Sequence, residues 1–216
     1  MNHLIAFRPG ESLSGALSNW ETTVESNGSG KSYGLELFIQ KLTGKTTGWI
    51  GTTLSRSERT FQEINQGKSF PFSYDRLFDA SVVLNHELRK NIFLSATWTY
   101  GTGYPVTLAT ESYLTDEGEV YEYGSVNGYR MRDYHRLDIG VNFTKQKHWG
   151  EATWTFSIFN VYNRKNPYFL YMQRDMITTI DTTNGGYGIS GKFGDQHLYQ
   201  KSLFPFFPSF AYSFKF

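Results

Sequence analysis

The chain has 216 residues, a formal net charge of +1 and no cysteine. Neither sign of charge runs in long blocks, so the footprint that nucleic-acid binding needs is missing, and disulfide frameworks, thiolate metal sites and cysteine nucleophiles are excluded. Aromatic residues make up 18% of the chain, yet mean hydropathy is only −0.46. That pairing suits a transmembrane β-barrel, apolar toward lipid and polar in its lumen and loops, or a lectin-like β-sandwich. No stretch nears the ~20 apolar residues of a membrane helix. Met1 to Phe7 runs into Arg8, Pro9 and Gly10 rather than into the apolar core of an export signal, so an outer-membrane reading expects a mature chain or a fragment of a longer one.

Residues 1–30 are expected to be an extracellular loop or a partial preceding strand, with Gly15 to Val24, carrying Leu17 and Trp20, the segment suited to a strand. From there to the end, period-two alternation recurs between Gly- and Asn-rich breaks, which predicts an all-β chain. The first strand, 32 to 41, sets Tyr33, Leu35, Leu37 and Ile39 against Gly34, Glu36 and Gln40, with Phe38 out of phase. The second, 46 to 59, alternates poorly and is assigned from its neighbours. After a polar stretch from 60 to 75, Ala80, Val82, Leu84 and Leu88 alternate with Asp79, Ser81, Asn85 and Glu87. In the fourth strand Ile92, Leu94, Ala96, Trp98 and Tyr100 oppose Ser95, Thr97 and Thr99. A Glu/Gly/Tyr loop to about 129 follows. The fifth strand alternates most cleanly, Leu137, Ile139, Val141 and Phe143 against Arg136, Asp138, Gly140, Asn142 and Thr144. The sixth, Ala152, Trp154, Phe156 and Ile158, slips register at Phe159, which predicts a β-bulge near Asn160. A mixed aromatic run to Tyr171 and a loop over 174 to 195 lead to a seventh strand, where Phe210, Tyr212, Phe214 and Phe216 oppose Ser209, Ala211, Ser213 and Lys215.

Two regularities favour the barrel over the sandwich. One face of the strands carries Arg, Asp, Glu, Asn, Thr and Gly, which suits a wet lumen and not a sandwich core. Connections also alternate between short turns (42–45, 89–91, 146–150) and long loops (60–75, 105–129, 174–195), the outer-membrane pattern.

From about residue 20 onward the chain resembles the final strands of TonB-dependent receptors, especially those of Bacteroidetes-type bacteria. The resemblance rests on SYGLELFIQK, GKTTGWIGTTLSRSERTF, FPFSYDRLFD, WTYGTGYPVTL, YRMRDYHRLDIGVNF, FSIFNVYNRKNPYF and FPFFPSFAYSFKF. Phe159 to Lys165 is similar to the family's N-L-F-D-K element, with Tyr162 and Asn163 in place of its Phe and Asp. The alternating Phe210, Tyr212, Phe214 and Phe216 resemble the terminal signal that the barrel assembly machinery reads by strand addition; the plainer reading is a lipid-facing last strand, and the two are compatible.

The family barrel has twenty-two antiparallel strands around an amino-terminal plug, preceded by a segment that contacts TonB. The resemblance therefore implies that residues 31–216 are a carboxy-terminal portion of about seven or eight strands, with both edges open. Its implied partners are outer-membrane lipid, the assembly machinery, and the rest of the receptor, through which TonB would act. The implied role is energised uptake of a bulky nutrient, with no covalent chemistry and no cofactor. Arg130, Arg132, Arg136, Asp138 and Asn142 are expected to line the lumen, and the external-loop tyrosines Tyr113, Tyr121 and Tyr123, among Asp116, Glu117, Glu119 and Glu122, to meet incoming ligand.

Other chemistry finds little support. Ser29 to Ser32 (SGKS) and Gly44 to Thr46 (GKT) evoke a phosphate loop but lack its first glycine, with Glu25 and Ile39 in its place, and open no helix. His3, His86, His135, His148 and His197 show no metal-ligand spacing, and no nucleophile elbow is present. The alternatives that remain are a small self-closing outer-membrane barrel, needing one more strand within residues 1–30, and a soluble carbohydrate-binding β-sandwich.

Overall fold

The computed structural model describes residues 1–8, 21, 23–116, 118–181 and 188–216. Within them the protein is all-β and its sheets are antiparallel. The elements are β1 (Leu4–Phe7), β2 (Val24–Lys41), β3 (Thr46–Thr60), β4 (Phe70–Pro71), β5 (Phe78–Arg89), β6 (Ile92–Gly101), β7 (Pro105–Val106) and β8 (Ala109–Thr115). They continue with β9 (Gly118–Tyr123), β10 (Tyr129–Arg130), β11 (Tyr134–Lys147), β12 (Gly150–Phe159), β13 (Pro167–Asp181), β14 (Gly188–Ser202) and β15 (Phe207–Lys215).

One sheet dominates, in the order β1-β2-β3-β5-β6-β11-β12-β15, with β4 appended to β3. It is a meander. Each chain neighbour pairs with the next because short turns fix the register: Lys41 lies opposite Gly48, Arg89 opposite Ile92 and Lys147 opposite Gly150. Gly44 takes a positive φ of 96° in the first of these turns, a conformation open to glycine at no steric cost. The other connections, 61–77, 102–133 and 160–206, all lie at the opposite end of the sheet.

The sheet has a two-sided pattern, interrupted on the polar side by Phe38, Trp49, Val83 and Phe93. Across its middle, one side reads Ile39, Ile50, Val82 and Trp98, then Ile139, Ile158 and Pro208 from strand to strand. The reverse side reads Glu36, Thr53, Asp79 on the first strands and Asp138, Thr97, Ser157 and Ser209 on the later ones. Side chains two apart share a face, so the register carries each strand's alternation into two continuous surfaces. No second layer covers either surface among the described residues. The accessible surface is 15508 Å², against about 10,000 Å² for a compact monomer of this mass. The buried apolar cluster is small, Phe61, Ile64 and Phe70 with Leu4, Ala6 and Val126 against it, and it sits among the long connections.

Within residues 1–30, Leu4–Phe7 forms a strand that pairs with β2 from Leu4↔Gly28 to Phe7↔Val24, and β2 itself begins at Val24; most of Gly15 to Val24 lies outside the described residues. Two expectations are corrected. The stretches read as loops at 105–129 and 174–195 contain two hairpins, β8–β9 and β13–β14. The slip at Phe159 is no bulge: β12 keeps unbroken register with β11 and β15 and ends at Phe159, where Asn160 turns the chain with φ 54°. The main sheet stays open, not closed on itself, among the described residues.

Candidate membrane-facing surface and terminal strand

The apolar face is exposed along its whole width: Leu35 is 70% accessible at one side, and Phe210 and Phe214 are each 54% accessible at the other. Water-facing sheets do not carry contiguous apolar area on this scale; surfaces that do meet protein, ligand or membrane. A shallow depression of about 740 Å³ crosses its centre, where Ala96 is flanked by Leu84, Leu94, Ile139, Val141 and Phe156.

Aromatic rows bound this face at both ends. At the long-connection end Phe78, Tyr100, His135 and Tyr162 contact in series, with ring centroids 5.7, 6.4 and 5.6 Å apart. The Tyr100 hydroxyl donates to Asp133 at 2.5 Å. At the short-turn end Trp149 lies 6.2 Å from Phe214 and 6.3 Å from Phe216, with the Lys147 ammonium 5.1 Å over its ring. On β2 and β3 the same face passes from Leu35 and Leu54 to Tyr33 and Arg56, then to Lys31 and Glu58. Beyond the apolar band Glu58 accepts from Lys31 and Arg56 at 3.0 Å each, and these hydrogen bonds hold its carboxyl below the ordinary carboxylate range.

Three of the five residues expected to line the lumen, Arg136, Asp138 and Asn142, share the polar face of β11. Arg136 donates to Asp138 at 2.9 Å and to the Tyr134 hydroxyl at 2.9 Å, and its guanidinium lies 4.0 Å over the Phe159 ring. Asn142 stands farther along the same face, between Phe93 and Thr155. Hydroxyl pairs bridge other strands of this side: Ser32 with Ser57 at 2.7 Å, Thr144 with Thr153 at 3.2 Å and Ser157 with Ser209 at 2.6 Å. Arg130 is elsewhere, in β10, where it binds the buried Asp75 carboxylate at 2.5 Å and the Gly103 carbonyl at 2.8 Å. Arg132 is exposed.

The loop tyrosines do not converge. Tyr113 pairs with Val120 on one side of the β8–β9 hairpin, whereas Tyr121 and Tyr123 belong to the other. Only Tyr123 of the three lines a cavity of about 360 Å³, with Phe7, Arg8, Arg59, Phe72 and Asn127. Glu117 lies outside the described residues.

Buried asparagines and one aspartate organise the long-connection end, and the sequence singled out none of them for this role. Asn160, fully buried, donates to the carbonyls of Arg164 at 2.9 Å and Phe204 at 3.1 Å. Asn166 bonds both the N–H and the C=O of His135, standing in for a strand neighbour. Asn127 donates to the Pro71 carbonyl, and Asp75 accepts from the Ser57 amide at 2.6 Å. The Arg174 guanidinium donates to the Ser112 carbonyl, joining the two outer hairpins. The available signal was compositional, an FNVYNRKN stretch dense in residues that tolerate positive φ.

The terminal residues Phe210, Tyr212, Phe214 and Phe216 come together as expected of an alternating strand. Phe210 contacts Trp154 and Phe156 at 5.4 and 4.9 Å, Tyr212 contacts Trp154 at 4.6 Å, and Phe214 lies 5.1 Å from Phe216. The far edge of β15 carries no partner among the described residues. Comparison with family models, with curated proteins and with solved structures found no match.

Proposed function

We propose that this chain is a carboxy-terminal wall of a TonB-dependent receptor of the outer membrane, serving energised uptake of a bulky nutrient. The observation that carries the reading is the uncovered apolar face running from β2 to β15 above a polar reverse side, with every short turn at one end. A β-sandwich would spend such a face on a second sheet; a barrel wall presents it to lipid. β6 and β12 have 10 residues and β15 has 9, the ~9–11 that cross a bilayer, and β2, β3 and β11 run longer, with 18, 15 and 14. The aromatic rows supply interfacial girdles: from His135 to Lys147, at ~3.4 Å per residue and ~40° of tilt, β11 rises ~30 Å. In this reading Arg136, Asp138 and Asn142 face the lumen or plug, the hairpins β8–β9 and β13–β14 stand outside the cell, and Phe210, Tyr212, Phe214 and Phe216 form the assembly signal.

Flotation tests the membrane half of the reading. Refolded with phosphatidylcholine vesicles, the chain should float with them, give β-type circular dichroism and resist carbonate extraction. A monodisperse β-protein left in the aqueous fraction would contradict it. The transport half is tested in cells: deleting the gene should abolish growth on one nutrient supplied at limiting concentration, and unchanged growth on every bulky nutrient would contradict it.

A further inference from the structure

A cavity of about 360 Å³ lies on the polar side of the sheet, at its long-connection end. The register places it there. Along β2 and β3 the polar side runs Glu36↔Thr53, Gly34↔Ser55, Ser32↔Ser57 and Gly30↔Arg59, and β4 sets Phe70 opposite Arg59. Past the Ser32–Ser57 hydroxyl pair that side changes from small and polar to aromatic and cationic, around a volume within the range of small-ligand pockets, about 300–1,000 Å³.

Two glycines seat its lining. A Cβ at Gly28 would stand 2.2 Å from the Phe61 ring, and one at Gly30 would stand 2.3 Å from the Arg59 guanidinium, so a larger residue at either position would push the lining aside. The Arg59 guanidinium lies 4.3 Å over the Phe72 ring. Its hydrogen bond to the Glu58 carbonyl is long, at 3.5 Å, and no carboxylate forms an ion pair with it among the described residues. Arg8 lines the same cavity and pairs with Glu25 at 3.3 Å, its side chain 47% accessible. Two cations thus face one carboxylate. Phe61 and Phe70 stack with centroids 6.2 Å apart, and Phe72 and Tyr123 complete the aromatic walls. The opposite wall is held in place: Asn65 donates to the Val126 carbonyl at 3.0 Å and accepts from the Val126 amide at 2.8 Å, and Asn127 donates to the Pro71 carbonyl at 2.8 Å. A site fixed before its ligand arrives loses less on binding.

Resting on the uptake reading above, we infer that this cavity binds a carboxylate carried on an aromatic group, the recognition end of the incoming nutrient. A guanidinium meets a carboxylate through two parallel N–H···O bonds, and the phenyl walls take the ring by offset or edge-on contact. One surplus positive charge matches a monoanion, whereas a doubly charged phosphate would leave a charge buried without a partner. The same chemistry belongs to a free aromatic acid and to the carboxy-terminal phenylalanine of a peptide.

The probe is 3-phenylpropionate, titrated by calorimetry into the full chain refolded with phosphatidylcholine vesicles, with protein-free vesicles as the blank. Saturable binding is expected, at least tenfold tighter than that of 3-phenylpropanol, which keeps the ring without the charge, and at least tenfold tighter than that of acetate. Arg59→Gln should weaken the acid at least tenfold and leave the alcohol unchanged. Arg59→Lys keeps the charge without the two-pronged donor and should bind the acid with intermediate affinity, so the charge dependence stays readable even where the glutamine variant loses its fold. No saturable binding of the acid, equal affinity for acid and alcohol, or an equal effect of the two substitutions overturns the inference. Gly-Gly-Phe and its amide separate the two sources: a peptide that binds tighter than the free acid names a peptide terminus, the reverse order names a free acid, and equal binding of peptide and amide overturns the inference. Flotation is read on the same samples. A chain that floats without binding the acid overturns this inference and leaves the membrane reading standing; a chain that binds the acid in the aqueous fraction upholds the site and contradicts the membrane reading.

Discussion

Trp154 and Tyr212 face one another across the β12–β15 seam with ring centroids 4.6 Å apart, the closest aromatic approach among the described residues. The pair ties the terminal strand to the sheet by side chains as well as by ladder hydrogen bonds. In a double-mutant cycle of Trp154→Ala and Tyr212→Ala, urea unfolding from vesicles should give a coupling of about 0.5–1.5 kcal/mol. Additivity within about 0.3 kcal/mol would mean that lipid replaces the contact fully.

Asn160 ends β12 with a positive φ and a side chain that satisfies two carbonyls from separate segments. Asn160→Ala should cost about 2–4 kcal/mol, from lost hydrogen bonds, buried carbonyls left unpaired and a backbone conformation that alanine resists. Asn160→Gly relieves the backbone part alone and should recover about 1 kcal/mol. Equal loss in both variants would place the whole effect in the side chain.

Arg130 reaches Asp75 from fifty-five positions along the chain, and the carboxylate is 1% accessible. Removing the cation strands a buried charge, so Arg130→Ala should destabilise by about 3–5 kcal/mol. Limited proteolysis should then cut within 61–77, which Asp75 anchors through the Ser57 amide. Asp75→Leu with Arg130→Met removes both charges and should recover part of the loss, the Ser57 amide and the Gly103 carbonyl still lacking their partners.

Phe216 is 90% accessible, and its ring lies 6.3 Å from that of Trp149 and 5.1 Å from that of Phe214. If the ending is an assembly signal, Phe216→Ala should lower outer-membrane insertion in cells several-fold. Refolding yield into vesicles should stay unchanged. Parallel loss in both assays would assign Phe216 to stability rather than to recognition.

Most strands of the main sheet were legible because one side is greasy and the other polar, and period-two alternation records that asymmetry; β3 was assigned from its neighbours. β13, β14, β8 and β9 were not legible, because their hairpins lie off the main sheet and take no part in its two-sided pattern; Tyr121 and Tyr123 alternate in a strand that the sequence presents as a loop. The four-residue β1 was missed for its length, and Phe38 and Trp49, 5.8 Å apart on the polar side, broke the pattern of their strands. The anchors Asp75 and Asn127 were invisible for another reason. Each acts on a backbone far away in sequence, and composition does not encode such pairings.

The central claim is that one face of this sheet meets lipid and the other does not, and the tryptophans divide between them: Trp154 on the apolar face, opposite Phe143 and Tyr212, and Trp49 on the polar one, beside Phe38. In single-tryptophan variants refolded into vesicles whose acyl chains are brominated at mid-depth, Trp154 fluorescence should be strongly quenched. Trp49 should be spared by bromine and quenched by aqueous acrylamide. Equal quenching of both by acrylamide, with none by the brominated chains, would contradict the account.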